Sequence, residues 1–433
     1  MNKQSENKIN QFLKDPVFSS LSLANKNFIS EKSGNFGFSF QEIKQIIDIA
    51  IDLEMWQEGF ISDIWNEEKI DKLKGKNLRQ KLLKRVTEKW KNLKQQSTDY
   101  SHFTPQSIPT PKLDFVSKKD ETTILGNCPV ASEKTRCCNL YTLDAVKNCG
   151  FDCSYCSIQS FYTDGKIYLH EDLKEKLNRL ELDPEKIYHI GTGQSSDSLM
   201  WGNRDGILDD IFQFAHNHKN VVLELKTKSN AIGYFRKNKI PSNVIVTWSL
   251  NTDIIIEAEE HHTATLKERL DAARAIANMG ILVGFHFHPI VEYKGWENDY
   301  HSIIDYIQDN FKPEEVALIS LGTLTFIKPV IKQLHKRKME SKILQMPLAD
   351  AEGKLSYPLD IKRMIFGSIY SRFSEKWRIM VYFYMCMEDK SLWKDIFGKE
   401  YKTNEEFESD MNAHYMRKIK WLEDQKKNIN LGN

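Results

Sequence analysis

Long apolar runs are missing from this 433-residue sequence: nothing approaches the roughly 18 consecutive apolar residues of a membrane-spanning helix, so no helical span is expected. The opening stretch MNKQSENKINQFLKD lacks the apolar core of a secretory leader, and a cytoplasmic location is expected. An excess of charge of one sign is missing too. With 61 Lys and Arg against 60 Asp and Glu, the formal net charge is +1, and no global field directs the chain to nucleic acid or to a lipid surface. Cysteine is scarce, seven in all, and the odd number does not suit a disulfide framework. What remains is ordinary for a folded protein, with 40% hydrophobic and 28% charged residues. The length exceeds a single domain of about 100–200 residues, which points to one barrel-sized domain with additions at both ends.

The expected division is a charged helical region with a linker over 1–110, a barrel over 111–335, and a helical region over 336–433. Between Ile64 and Gln96 there are 11 Lys/Arg against 4 Asp/Glu, a local balance of 11 − 4 = +7. Leu82, Val86, Trp90 and Leu93 recur there at helical spacing, one apolar stripe on a basic helix. Such a helix either packs on its own domain with a solvated face or contacts a polyanion such as a nucleic-acid backbone. SHFTPQSIPTPKLDF (101–115) holds three of the twelve prolines and reads as a linker or strap. From about residue 140, β-rich runs alternate with amphipathic helical stretches. Candidate strands are 140–147, 186–191, 220–226, 243–250, 280–287 and 315–321, with a helix over 266–279 among the connections. Six such units predict an α/β fold, a parallel sheet curled into a partial (β/α)6 barrel of TIM type with helical extensions at both ends. Chemistry in such barrels sits at the C-terminal ends of the strands. Gln194, Ser195 and Asp197, then Thr227 and Lys228, Ser249 and Asn251, His286 and His288 all fall where a strand pattern stops. Farther on, MVYFYMCMEDKSLW (380–393) reads as a buried helix with Cys386 as a small core residue.

Six of the seven cysteines lie between Cys128 and Cys156. In a reducing compartment that clustering favours metal binding or thiol chemistry. Cys149-Gly-Phe-Asp-Cys153-Ser-Tyr-Cys156 follows directly on the first strand pattern. Three thiolates spaced CxxxCxxC in one tight loop suit three irons of a [4Fe–4S] cubane. The fourth iron then lacks a protein ligand, and the amino and carboxylate groups of S-adenosylmethionine (SAM) can chelate it. One electron from the cluster splits the sulfonium into methionine and a 5′-deoxyadenosyl radical, which the protein must aim and keep from water. Zinc is the competing reading. It takes four ligands, commonly as two separated CxxC-type pairs, and a lone CxxxCxxC with an aromatic before its last cysteine fits that poorly.

These residues resemble the radical SAM superfamily through CxxxCxΦC, with Tyr155 as the aromatic, and several segments of 149–300 are similar to its spore photoproduct lyase family. TWSLNTDIIIEAEEHHTATLKERLDAARAIANMGILVGFHFHPIVEYKGWENDY looks like the family stretch from a Ser-x-Asn strand to a Gly-Trp-Glu loop. TGQSSDSLMWG resembles its Cys-Thr-Ser-Asp segment, and ELKTKSN its Thr-Lys strand end. The resemblance implies a radical SAM barrel that cleaves the ultraviolet crosslink between two thymines in DNA, with a reductase such as flavodoxin or ferredoxin as electron donor and no membrane partner. It assigns Cys149, Cys153 and Cys156 to the cluster and Ser196, Lys228 and Ser249 to SAM, with Asp197 and Asn251 beside them, and it puts Tyr155 near SAM and in radical relay. An ammonium and two hydroxyls can complement a carboxylate. Two positions depart from the family pattern. The hydrogen-donor cysteine falls at Gln194, and the tyrosine after the last cluster cysteine is Ser157.

Cys128, Cys137 and Cys138 leave three readings open: a second cluster completed by Cys386, a substitute hydrogen donor such as Cys138, or ordinary thiols. His286 and His288 alternate along a strand and should face the barrel interior, as substrate contacts, proton relays or core residues. His261 and His262 read as surface residues opening a helix, and Glu297 as a helix cap or a substrate contact. Three functions are compatible with the sequence: a radical SAM lyase acting on damaged DNA, the same chemistry on an RNA base, peptide or metabolite, and a non-catalytic iron–sulfur protein that binds nucleic acid or senses redox state.

Overall fold

The computed structural model describes residues 11–12, 14–67, 73–119, 121–128, 135–157, 165–337 and 339–431. Residues 1–10 and 68–72 of the charged region lie outside the described residues.

Seven strands run parallel in one curled sheet: β1 (Tyr141–Leu143), β2 (Tyr188–Thr192), β3 (Val221–Thr227), β4 (Val244–Ser249), β5 (Leu282–Ile290), β6 (Val316–Thr323) and β7 (Tyr382–Met385). Leu125–Asn127 adds an antiparallel edge beside β1. The α/β half-barrel is the expected one, and the six candidate strands each supply one of its strands. β2, β4 and β6 are buried along their whole length, because a curled parallel sheet has helices on one face and its own lumen on the other. Alternate residues turn inward. In the lower lumen they meet as one hydrogen-bonded layer. Glu224 bonds the imidazoles of His189 (2.7 Å) and His286 (2.6 Å) and accepts from Thr247 Oγ1 (2.8 Å), while His286 also reaches Ser320 Oγ (2.5 Å).

β7 corrects one sequence reading. The run at 380–393 is not a single buried helix: Tyr382–Met385 pairs with β6, and the helix is confined to Ser391–Phe397. Successive aromatics favour the pleated, half-buried surface of a strand over a helix, and edge pairing with β6 decides it. The strap carries no helix or strand over 101–113, as expected, and its last two residues open a strand, Asp114–Lys118, parallel to Lys166–His170, which also pairs with Val146–Lys147. The first candidate strand is thus divided between two sheets.

The C-terminal helix Asn404–Leu431 lies across the N-terminal ends of the strands. Phe407, Met411, Tyr415 and Ile419 recur every four residues and are buried, so one stripe faces the barrel. Asn412 Nδ2 donates to Ile187 O (3.3 Å) just before β2, Lys418 to Pro313 O just before β6, and the Tyr415 ring lies 5.1 Å from His189. This end is plugged, which leaves the C-terminal mouth for chemistry.

The N-terminal helices Phe40–Met55 and Gly75–Gln95 dock through a buried carboxylate, Asp52, which accepts from Trp90 Nε1 (2.9 Å) and bonds His335 Nε2 (2.8 Å), while Leu23–Phe36 is tied to Phe40–Met55 by Asn25 Nδ2 donating to Glu54 (2.5 Å). Leu82 and Val86 bury the apolar stripe of the basic helix, while Lys76, Lys81, Lys84, Lys89 and Lys91 remain exposed.

β7 is fastened by Glu388, which accepts from Thr323 N (2.8 Å), Thr323 Oγ1 (2.7 Å) and Lys362 Nζ (2.6 Å), with both charged residues buried. Removing one member of such a pair strands the other charge, at about 3–5 kcal/mol. Glu388→Ala should therefore lower the unfolding free energy by about that amount in urea titration, and an unchanged midpoint would show that Glu388 does not secure the strand.

Candidate active site at the barrel mouth

The cysteine loop leaves the C-terminal end of β1, and its neighbours hold it from three directions. Ser195 Oγ donates to Asp144 Oδ1 (2.6 Å) at its start. Ser196 Oγ donates to Asn148 O (2.7 Å) and accepts from Trp201 Nε1 (2.8 Å). At the far end Asp152–Cys153 pairs antiparallel with Glu260–His261, and Ser154 N donates to Glu259 O (2.9 Å). The pairing corrects the reading of His261 as the start of a helix: the helix begins at Leu266, behind a Thr265–Glu268 capping box. Gly150 fits where a Cβ would stand 2.6 Å from Met200 Cε and 2.9 Å from the Trp201 ring. Gly193 adopts φ +88°, with Lys226 O only 2.8 Å from a would-be Cβ, so two turns of this mouth require glycine.

The three loop thiols are mutual electrostatic neighbours, and none of the seven cysteines is in a disulfide. Burial pushes Cys149 well up and Cys153 up to about 12. Among the described residues no three His, Cys, Asp or Glu side chains converge on one point as the ligands of a single ion do. The fit to an iron–sulfur cluster therefore rests on donor chemistry: three soft thiols, on one loop, at the mouth of the barrel, with desolvation that a bound cation would relieve.

Beside the loop stands a charged constellation of which the sequence exposed only half. Lys228, at the end of β3, places Nζ 3.6 Å from Cys153 Sγ, 2.5 Å from Tyr155 OH and 3.3 Å from Glu260 Oε1. Tyr155 OH donates to Glu260, as does Arg269, whose NH2 is 2.6 Å from the other carboxylate oxygen. Asn251 Nδ2 completes the set at 3.3 Å, with Tyr300 OH donating to Asn251 Oδ1 (2.5 Å). Burial alone pushes the Glu260 carboxyl up, but Arg269 and Lys228 outweigh it and hold the group at about 2. Burial pulls Lys228 down, yet Cys153 and Glu260 prevail and keep it an ammonium. The Tyr155 phenol, raised well above its usual value by burial and by Glu260, stays protonated.

Of the residues expected here, the structure brings Cys149, Cys153, Cys156, Tyr155, Lys228 and Asn251 together. Ser249, at the end of β4, is buried, and its carbonyl accepts from Arg269 NH1 (2.8 Å). Ser196 and Asp197 are committed to the fold: Asp197 accepts from Thr227 Oγ1 (2.7 Å) and from the backbone of Lys228, Leu199 and Met200, so it organises the turn that presents Lys228. Gln194 is half-buried on the same turn. Cys138 lies elsewhere, beside Cys137 and Cys386 at the open side of the sheet. His288 faces the lumen, where a Cβ on Gly322 would be 2.8 Å from its ring, and Glu297 accepts from Ser368 Oγ (2.6 Å) on the outside. Glu259, Glu260 and Arg269 were missed. The available signal was an arginine on the apolar face of 266–279, in register with Ala273 and Ile276.

The family model described as spore photoproduct lyase matches residues 72–356. Spore photoproduct lyase of Clostridium acetobutylicum is 22% identical over 181 residues, 41% of this chain and 54% of that protein. The Bacillus subtilis protein of the same description is 27% identical over 124 residues, 28% of this chain and 36% of that one. The alignments thus span about half or less of these relatives. Among solved structures, a spore photoproduct lyase mutant with bound AdoMet and dinucleoside spore photoproduct superposes with a TM-score of 0.53 at 18% identity, covering 63% of this chain and 82% of that one. Another, complexed with the dinucleoside photoproduct, gives 0.52 at 18% identity over the same shares, 63% and 82%.

Glu259 anchors the loop from behind, accepting from Ser154 Oγ, Ser341 Oγ (2.6 Å), Tyr100 OH (3.0 Å) and Lys342 N (3.0 Å), and burial raises its carboxyl to about 7. A carboxyl raised in the folded state holds its proton where the unfolded chain has lost it, so its contribution weakens as pH rises from 4.5 to about 7 and is level beyond. Unfolding free energy should fall across that window by a few kcal/mol at most, about 1.4 kcal/mol per pK unit. Glu259→Gln should flatten the decline; an equal slope in the variant would move its origin to another group.

Proposed function

The chain belongs to the spore photoproduct lyase family, and on that premise we propose that it is a radical SAM lyase, with Cys149, Cys153 and Cys156 holding a [4Fe–4S] cluster and thymine photoproducts in DNA as substrate. The observation that carries this reading is the ammonium of Lys228, set 3.6 Å from Cys153 Sγ and flanked by Tyr155 and Asn251 at the open mouth of the barrel. A cluster with SAM bound there supplies a 5′-deoxyadenosyl radical.

The chain's own residues do the rest. Lys228 and Asn251, with Ser249 on the neighbouring strand, form the polar wall that takes the carboxylate end of the cofactor, at charge-assisted hydrogen-bond strength. Glu260, with Arg269 behind it, keeps Lys228 protonated and aimed, and holds the Tyr155 phenol from the other side. The plugged base and apolar strands exclude water from below. Above Glu224, Lys226 lies within electrostatic reach of His286 and His288 and would face substrate with His288, and a crosslinked dinucleotide must be swung out of the stack to reach them. The exposed lysines of Gly75–Gln95 would hold the phosphate backbone.

Gln194 favours a second reading, the same radical chemistry on another substrate, because an amide does not donate a hydrogen atom as a thiol does.

After anaerobic reconstitution with SAM and dithionite, a photoproduct-containing oligonucleotide should release thymine together with 5′-deoxyadenosine. SAM cleavage without thymine would transfer the enzyme to the second reading. Lys228→Ala should keep its iron and bind SAM about 10–100-fold more weakly, the loss of one charge-assisted contact, and equal affinity would take Lys228 out of the pocket. DNA binding through Gly75–Gln95 should weaken steeply from low to physiological salt. A flat response would assign the helix to the fold alone.

A further inference from the structure

The seven cysteines segregate into two groups in space. Three are on the loop at the barrel mouth, and the other four lie along the open side of the half-barrel, near the two edges of the sheet. One edge is Leu125–Asn127, followed by Cys128, whose amide donates to Leu140 O (3.0 Å). The other is β7, followed by Cys386, whose amide donates to Leu321 O (2.8 Å). An isolated bridge between Thr135 and Asp389 spans the gap. Cys137 N is fixed by Asn404 Oδ1 (3.1 Å), and Asn139 Nδ2 by Glu408 (2.9 Å), so the adjacent pair Cys137–Cys138 is clamped against the start of the C-terminal helix. The Cys137 and Cys138 side chains hydrogen-bond each other, Cys138 feels Cys386, and Cys386 feels Cys128 and Cys137. Cys137 and Cys138 are 7% and 8% exposed, sheltered as structural metal thiolates are.

A chain that has so little cysteine, and none of it in disulfides, assembles four thiols here from three separate segments. Two of the four, Cys137 and Cys138, are buried and Cys128 and Cys386 are half-buried, and four soft donors drawn to one seam are the ligand set of a thiolate-bound metal centre. We propose that Cys128, Cys137, Cys138 and Cys386 hold a second iron–sulfur cluster, which joins the two edges of the open barrel. Among the described residues no three His, Cys, Asp or Glu side chains converge on one point, so thiols drawn from both sides of the seam suit a cluster of several irons better than a single zinc ion. The inference does not depend on the first cluster, because the two ligand sets share no residue.

The test is metal content. The full chain carrying Cys149→Ala, Cys153→Ala and Cys156→Ala is reconstituted anaerobically with iron and sulfide, and its iron, sulfide, zinc and electron paramagnetic spectrum are measured. The expected result is about four iron and about four sulfide per chain, one cubane, against about twice that in the unaltered chain. Adding Cys386→Ser should remove or reshape the remaining signal. A triple variant without iron, or with zinc in its place, overturns the proposal. Equal iron in the triple variant and the parent would instead remove the loop cluster. Circular dichroism of the triple variant shows whether it has folded. If it has not, iron in the unaltered chain decides: about eight supports two clusters and about four overturns the second.

Discussion

The carboxylate of Glu260 is the constraint on which the mouth of the barrel depends. It is buried, so its charge is tolerable only because Arg269, fully enclosed, and Lys228 stand against it. Its own backbone pairs with Cys153, so the electrostatic centre and the cysteine loop are parts of one short ladder. Arg269 in turn binds the carbonyls of Ser249 and Ala264, which fixes the end of β4 and the entry to the next helix. Loop, strand end and helix start are registered to one another through a single anion. Its neighbour Glu259 faces the opposite way and ties the same ladder to Tyr100 and Ser341, where the N-terminal helices dock.

The two adjacent glutamates thus live in opposite electrostatic worlds. Glu260 is surrounded by cations and stays ionised far into acid. Glu259 has only neutral donors and rises towards neutrality. A tertiary contact sets this difference, and no local pattern encodes it.

That division also explains how far the sequence could be read. Strands of the half-barrel announce themselves as β-branched runs bounded by turn residues, because both of their faces are buried and no polar alternation is needed. The cysteine loop is local, and so are the strand-end positions of Lys228, Ser249 and Asn251. The constellation around Glu260 is not local: Arg269 arrives from a helix and Tyr300 from another, and neither bears a motif. β7 escaped for a related reason. Its aromatic run suits either a strand or a buried helix, and the choice is made by β6, which the run itself does not contain. Ser196 and Asp197 were recognised as belonging to the site, but their side chains hold the turn and the loop together rather than pointing away from the protein.

The bonds already made by Lys228 have a consequence for any anion that enters. The ammonium is not waiting bare. It is shared between Glu260 and Tyr155, so an incoming carboxylate takes over part of an existing partnership instead of creating one. Affinity is then a small difference between two well-paired, desolvated arrangements, insensitive to bulk salt and readily reversed. The same arrangement lets the barrel mouth keep its shape, because Glu260, Lys228 and Arg269 answer one another before a ligand arrives. A visitor would find a lock whose pins are already set, and would have to exchange places with one of them.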